Sequence, residues 1–298
     1  MTVTTFVADR SPRGLVVAGG EDATAYLQSL VSQDLDPLGD NDHAAALLLS
    51  PQGKLDVAFR ILRAGAEWWL DTDADYAPRL LASLNRFRIR VKVDLEDRTP
   101  TTGLVSTLGV PIGAVPDGVH ALPTDWAGQP GVDLLGPLDA VRAAADATDP
   151  TVERWTPERF EAFRIEAGVP RLGVDIDDAT IPQEAFLERD AVSFTKGCFV
   201  GQELVCRIDT RGHVNRYLRG VRIPDGTTPP AGATVVVDGT DRGTLTSIAV
   251  VPGETRAVGL AMVRREIEPP TTAELRWDDG HVAADLVTVG PAAPVGES

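Results

Sequence analysis

The chain of 298 residues has two cysteines, three lysines and an aromatic content of only 5 %. Two cysteines, Cys198 and Cys206, cannot build a disulfide framework, which points to a reducing cytoplasm. No apolar run approaches the ~18 residues of a membrane span. The N-terminal MTVTTFVADRSPRG mixes acid with base and has no apolar centre, so no secretory signal is expected. The four histidines (His43, His120, His213 and His281) are scattered, and with two cysteines they offer no metal-ligand spacing. No metal site is therefore expected. A glycine-rich dinucleotide fingerprint, a G-x-S-x-G elbow and an H-E-x-x-H helix are all missing, and Gly53-Lys54 lacks the flanking residues of a phosphate loop. Positive charge is also short. With 28 basic against 44 acidic residues the net charge is −16, which argues against stable nucleic-acid or anionic-membrane binding.

The positive charge that exists is concentrated. Arg79–Lys92 (RLLASLNRFRIRVK) carries five basic residues and no acid, and Lys196–Arg222 carries six against two. Two basic islands in an acidic chain suit a small anionic ligand rather than a polyanion. The plainer alternative is that the arginines pair with acidic neighbours.

Hydrophobic spacing suggests an α+β chain. Strands are expected at Leu15–Ala18, His43–Leu49, Leu55–Leu62, Trp68–Leu70 and Arg90–Leu95, with SPQGK (Ser50–Lys54) as a hairpin turn. A helix capped by Asp22 is expected to run through Leu35, and amphipathic helices at Tyr76–Phe87 and Leu138–Ala147. A further helix starts at Thr156-Pro157 and ends at Gly168. The Gly- and Pro-rich stretch 101–137 is the least legible. Beyond about residue 213 only short strands and turns remain, at 234–237, 243–251, 257–263, 273–277 and 282–289, which predicts a small barrel or sandwich. The division is thus 1–212 and 213–298, with PAAPVGES as a disordered tail.

One stretch, Arg154–Arg222, is dense in chemistry. Lys196-Gly197-Cys198-Phe199-Val200-Gly201-Gln202-Glu203 sets a thiol between two glycines, with a lysine nearby and a helix expected after Gly201. Such surroundings favour the thiolate, so Cys198 reads as a functional thiol, the alternative being a buried structural cysteine. Glu166, in Arg164–Gly168 (RIEAG), could accept two parallel hydrogen bonds from a planar amidine-like edge, or simply pair with Arg164 or Arg171.

Taken together, KGCFVGQE followed by Arg207 resembles the signature of YgfZ-type folate-binding proteins, relatives of the glycine cleavage T protein (aminomethyltransferase) implicated in maintaining iron–sulfur enzymes. RIEAGVP (164–170), DIDDATIPQE (175–184), DATAYLQSLVSQD (22–34), SPQGK (50–54) and RGHVNRYLRG (211–220) fit the same family. The resemblance implies a folate-binding body of intertwined subdomains around a central hole, followed by a C-terminal β-barrel. It implies tetrahydrofolate or a one-carbon derivative as cofactor, and iron–sulfur enzymes or cluster assembly proteins as partners. Glu166 inherits the pterin-binding glutamate, and Arg207 or Arg216 a folate-contacting arginine. Lys196, Gly197, Gly201, Gln202 and Glu203 come with the signature as cofactor-site residues. The Arg79–Lys92 island is a candidate for the glutamyl tail. At the place of the T protein's essential aspartate the chain reads Val57-Ala58, with Asp56 the nearest carboxylate. A carboxylate so displaced is poorly set for proton transfer. The expected function is a tetrahydrofolate-binding accessory protein for iron–sulfur cluster assembly or repair. The alternative is a folate-dependent aminomethyltransferase or demethylase.

Overall fold

A computed structural model describes residues 5–289, and the expected PAAPVGES tail lies outside them. Along the first hundred residues run β1 (Phe6–Asp9), β2 (Arg13–Gly19), α1 (Ala23–Leu30), β3 (His43–Leu49), β4 (Leu55–Ala64), β5 (Glu67–Asp73), α2 (Ala77–Phe87) and β6 (Asp94–Asp97). All but β1 of these strands form one sheet of order β3-β4-β5-β2-β6. Next come β7 (Thr102–Leu108), β8 (His120–Asp125), β9 (Pro130–Pro137), α3 (Leu138–Asp146), β10 (Arg154–Trp155) and α4 (Pro157–Glu166). Here the strands join β1 in a second sheet, β10-β1-β7-β9-β8. Two helices, α5 (Glu188–Ala191) and α6 (Gln202–Arg211), lead into β11 (Arg216–Ile223). The remaining strands are β12 (Thr234–Val237), β13 (Thr240–Val250), β14 (Ala257–Arg264), β15 (Thr271–Trp277) and β16 (Gly280–Val287). With β11 they close a barrel of order β11-β14-β13-β12-β15-β16, and β11 pairs with β16 to complete the ring.

Most expected elements are present, and the exceptions have local causes. The Asp22 carboxylate accepts the backbone N–H of Lys92 at 2.7 Å instead of capping α1. That helix stops at Leu30, short of the expected Leu35, although Val31 and Leu35 remain buried. The strand expected over 90–95 is confined to Asp94–Asp97, because Arg90 takes a left-handed backbone (φ +58°) that a strand cannot continue. The stretch 101–137 folds into β7, β8 and β9. Its short alternations are hidden by glycine and proline, just as β11 is hidden in a basic island.

The barrel is packed on both sides. Along β14, Ala257, Ala261 and Val263 join the barrel interior, while Val258, Leu260 and Met262 join the core of the first sheet. This is the two-residue period of a strand with both faces covered. Polar bonds fasten the same contact. From α4, Arg164 donates to Asp175 (2.9 Å) and to Ser247 on β13 (3.1 Å), and Asp175 accepts from the hydroxyls of Thr246 and Ser247, each at 2.6 Å.

The two sheets meet along a charged seam. Arg60 on β4 donates to Asp71 on β5 (2.8 Å) and across to Asp133 on β9 (2.9 Å). Arg13 donates to Asp71 (2.8 Å) and Asp73 (2.7 Å), and Ser106 donates to Asp133 (2.5 Å). Arg10 completes the group, donating to Ser106 at 3.1 Å. Three guanidinium groups thus face three carboxylates, so burial leaves no net charge uncompensated. Burial opposes ionisation of Asp71, but the charges and hydrogen bonds of Arg60 and Arg13 outweigh it and hold its pKa below the usual carboxylate range.

Replacing Arg60 with Met leaves Asp71 with one partner and removes the crossing to Asp133. We expect a loss of about 3–5 kcal/mol in urea unfolding at neutral pH, the usual cost of breaking a buried ion pair. Because the folded-state pKa of Asp71 is depressed, its stabilising contribution is complete above about pH 4 and is lost as pH falls through the lowered value. The gap between wild type and Arg60→Met therefore narrows in acid, and a gap constant from pH 7 to pH 3 would refute the assignment.

Candidate functional site

Glu166 lies at the C-terminal end of α4, a helix whose start follows from Thr156, whose hydroxyl accepts the Arg159 N–H, and from Pro157 at the first position. It lines a cavity of about 350 Å³ together with Trp126, Trp155, Phe163, Arg159 and Arg256. The size is within the ordinary range for a small-molecule site. Four segments build the walls: the β8–β9 turn supplies Trp126, β10 supplies Trp155, α4 supplies Phe163 and Glu166, and the β13–β14 turn supplies Arg256. The aromatic groups are tightly ordered. Trp155 stacks on Phe6 with ring centroids 3.9 Å apart, Trp126 packs on Phe163 at 5.5 Å, and Arg159 lies 4.7 Å over the Trp155 ring. On the other side of these walls, Arg10 lies 4.6 Å over Phe160 and 5.5 Å over Trp126, which ties the cavity to the inter-sheet seam.

The chemistry of the cavity suits a flat, polar-edged ring. The Glu166 carboxylate meets Arg256, from the turn between β13 and β14, in a bidentate pair at 2.7 and 3.2 Å. Arg256 also binds Glu254, and these carboxylate hydrogen bonds raise its pKa. The indole N–H of Trp126 is buried and has no hydrogen-bond partner among the described residues. A buried donor left in this way invites a carbonyl or a water. Aromatic faces and a carboxylate that accepts two parallel donors thus line one cavity.

The signature residues are elsewhere, around the tip of the β3–β4 hairpin. Gly201 and Gly53 both have left-handed backbones, and each lies where a side chain of the other segment would be (an added Cβ on Gly201 would be 2.4 Å from the Ser50 carbonyl, and one on Gly53 2.6 Å from Leu204 Cβ). Gly201 caps α6, as expected from the sequence. Gln202 turns its side-chain oxygen back to the Phe199 N–H at 2.8 Å. Lys196 points away from the expected task. Its ammonium donates to the carbonyls of Gln28 (2.8 Å), Val31 (2.9 Å) and Gln33 (2.7 Å) at the end of α1. Burial lowers its pKa to about 8, against the opposing charges of Asp34 and Asp36. Lysine suits this place because a compact ammonium directs three donors to three convergent acceptors, which a planar guanidinium does not. Cys198 is exposed on the loop so held, and Cys206 is partly buried on α6.

Geometry therefore divides the sequence-derived residues among three places. Glu166 alone lines the aromatic cavity; Lys196, Gly197, Cys198, Gly201, Gln202, Glu203 and Arg207 do not. Glu203 and Arg207 are exposed and pair with each other along α6 at 2.5 Å. Arg216 forks onto the largely buried Glu184 at 3.0 and 3.1 Å and borders a separate groove with Asp175, Asp177, Arg242 and Arg264. The Arg79–Lys92 island also stays apart: Arg79 and Arg86 bind Asp56, Lys92 binds Glu21, and none of the five lines the cavity. Of that island, Arg79, Arg86 and Lys92 are met by local carboxylates, and Arg88 donates to the Val93 carbonyl. Asp56 is held by Arg79 at 2.8 Å, while the Val57 side chain is buried. The aromatic walls and Arg256 escaped sequence reading. The only hint was that one of the five tryptophans, Trp126, falls in the least legible stretch.

This architecture, two sheets followed by a closed barrel, is the fold of a glycine cleavage system aminomethyltransferase T. The crystal structure of the glycine cleavage system aminomethyltransferase T from Bartonella henselae superposes with a TM-score of 0.80 at 19 % identity, covering 96 % of this chain and 86 % of that one. By sequence the chain is similar to YgfZ and IBA57 proteins. It is 25 % identical over 286 residues to the tRNA-modifying protein YgfZ of Klebsiella pneumoniae, spanning 89 % of this chain and 87 % of that protein. It is 30 % identical over 245 residues to the mitochondrial iron–sulfur cluster assembly factor IBA57 homolog of Mycosarcoma maydis. That match spans 76 % of this chain but 59 % of the fungal protein. No protein-family model matches the chain. Among the described residues no helix is long and apolar enough to cross a membrane, and no cluster of three or more His, Cys, Asp or Glu could hold a metal ion.

The two glycines that flank Cys198 give opposite expectations. Gly201→Ala forces a Cβ into the Ser50 carbonyl at a positive φ and should lower stability by about 1–3 kcal/mol in chemical denaturation. Gly197→Ala meets nothing within 4 Å and should change stability by less than about 0.5 kcal/mol. Equal losses in the two variants would contradict the packing described.

Proposed function

We propose that the chain is a tetrahydrofolate-binding accessory protein that supports iron–sulfur cluster assembly or repair, with Cys198 as its functional thiol. The observation that carries the folate reading is the Glu166 carboxylate, forked by Arg256, at a cavity walled by Trp126, Trp155 and Phe163. The iron–sulfur reading is supported by the IBA57 relatives, whose names state that role for themselves.

In this reading Glu166 accepts two parallel N–H bonds from the pyrimidine edge of the pterin, and its charge strengthens both. Trp126, Trp155 and Phe163 wall the ring with aromatic surface. Arg159, held over Trp155 and paired with Glu153, is the lining cation assigned to an anionic tail. Bound there, tetrahydrofolate supplies a one-carbon carrier. The exposed Cys198 is open to partner proteins, proposed here to be iron–sulfur enzymes or cluster assembly proteins in a reducing cytoplasm, with no stably bound nucleic acid or membrane. Lys196, Gly201 and Gln202 act as positioning residues for its loop.

Aminomethyl transfer is the second reading, and the T-protein fold is what favours it. Against it stands the strand at Val57-Ala58, where the nearest carboxylate, Asp56, is bound to Arg79 and Arg86 and is not free to move a proton.

Titration with 5-formyltetrahydrofolate, followed by calorimetry and tryptophan quenching, is the test. We expect saturable binding, weakened about 10- to 100-fold by Glu166→Gln, since charge-assisted hydrogen bonds are worth about 1.5–3 kcal/mol. Unchanged affinity in Glu166→Gln would remove the pterin assignment. Cys198→Ala should bind folate normally yet fail to restore iron–sulfur enzyme activity in cells lacking the protein, and full restoration would remove the thiol from the function.

A further inference from the structure

The Glu166 carboxylate is not idle in the folded chain. Its two oxygens accept Nη1 and Nη2 of Arg256 at 2.7 and 3.2 Å, a fork of two parallel N–H bonds in one plane. A 2-amino-4-oxopyrimidine presents the same pattern through its ring N–H and exocyclic amine, at the same acceptor atoms. Two such forks cannot share one carboxylate edge. The turn that carries Arg256 is itself well fixed, with Val251 N–H donating to the Arg256 carbonyl (3.0 Å) and Glu254 N–H to the Val251 carbonyl (3.0 Å). Glu254, beside Arg256 on this turn, already holds the same guanidinium. Arg256 can therefore leave Glu166 by turning its side chain alone, and its charge stays paired when it does.

We propose that Arg256 is a specificity-determining residue of the cavity, an internal competitor for Glu166 that only a ligand offering two parallel N–H donors can displace, with Glu254 retaining the released guanidinium. The inference rests on the folate reading of the cavity and adds to it a threshold. A ring with a single donor replaces one bond of the fork and leaves the other unmet, so it does not compete. The two-donor ring restores both bonds and adds aromatic contact with Trp126, Trp155 and Phe163.

The test measures dissociation constants for 5-formyltetrahydrofolate with wild type, Arg256→Ala, Arg256→Lys and Glu166→Gln, each first checked for an unchanged circular dichroism spectrum. Removal of the competitor should tighten binding about 3- to 30-fold in Arg256→Ala, with a smaller gain in Arg256→Lys, which keeps the charge but not the fork. The gain should be confined to ligands with the two-donor edge. With 4-aminobenzoylglutamate, which has the tail but no pterin, the affinities of wild type and Arg256→Ala should be equal. Binding by wild type that is unchanged or weakened in both Arg256 variants overturns the competitor role while leaving the folate reading standing. Absence of binding in every protein, or binding indifferent to Glu166→Gln, overturns the folate reading and this proposal with it.

Discussion

The buried pair between Arg164 and Asp175 is the joint on which the candidate site depends. One guanidinium reaches Asp175, the Val169 carbonyl, Glu161 and the hydroxyl of Ser247, so α4, the loop after it and barrel strand β13 are held by a single side chain. Both charges are almost wholly buried, and such a pair is stabilising only when the hydrogen bonds around it are complete. Here they are: Asp175 also accepts from Thr246, Ser247 and the backbone of Arg171. Two residues further along α4 comes Glu166, and on the far side of the same contact is Arg256. The carboxylate and the guanidinium that face each other across the cavity come from different parts of the chain, and Arg164 fixes their separation.

A second consequence concerns charge. The excess of acid along the chain is uneven, and the structure shows where the arginines go. Arg10, Arg13 and Arg60 neutralise the seam between the sheets, Arg79 and Arg86 meet Asp56, and Arg216 meets Glu184. The plainer reading of the basic islands, local pairing with carboxylates, accounts for five of their eleven basic residues, Arg79, Arg86, Lys92, Arg207 and Arg216. Arg159 and Arg256 remain as the cations at the cavity, and neither belongs to an island. Clustering in sequence was thus a poor guide to clustering in space.

Much of the fold was legible because its elements are periodic. The hairpin at Ser50–Lys54 and the Thr156-Pro157 start of α4 are local signals that formed as read, and the α2 stripe formed in part, with Leu80 and Leu84 buried but Phe87 exposed. The strands of 101–137 and β11 were not, because glycine, proline or a run of arginines masks their alternation. For the site the balance is reversed. Glu166 was found through its motif, but Trp126, Trp155 and Arg256 reach it from three separate segments, and no spacing rule links them. The signature around Cys198 was conspicuous as a string, yet the side chains of Lys196 and Gln202 hold the loop in place, on α1 and on Phe199, and the Gly201 backbone packs against Ser50. A motif can be specific because its packing is demanding as well as because its chemistry is.

The anchoring of Lys196 bears on when the thiol becomes available. Its partners, Gln28, Val31 and Gln33, precede it by 163–168 residues, and Gly201 rests on a hairpin tip that also belongs to the first sheet. Contacts so distant in sequence are made late, after the loop-closure entropy of the intervening chain has been met. The Cys198 loop acquires its shape only on a body whose first sheet is already assembled. A nascent or partly unfolded chain carries the thiol but not its setting, so presentation of Cys198 reports that the protein is whole.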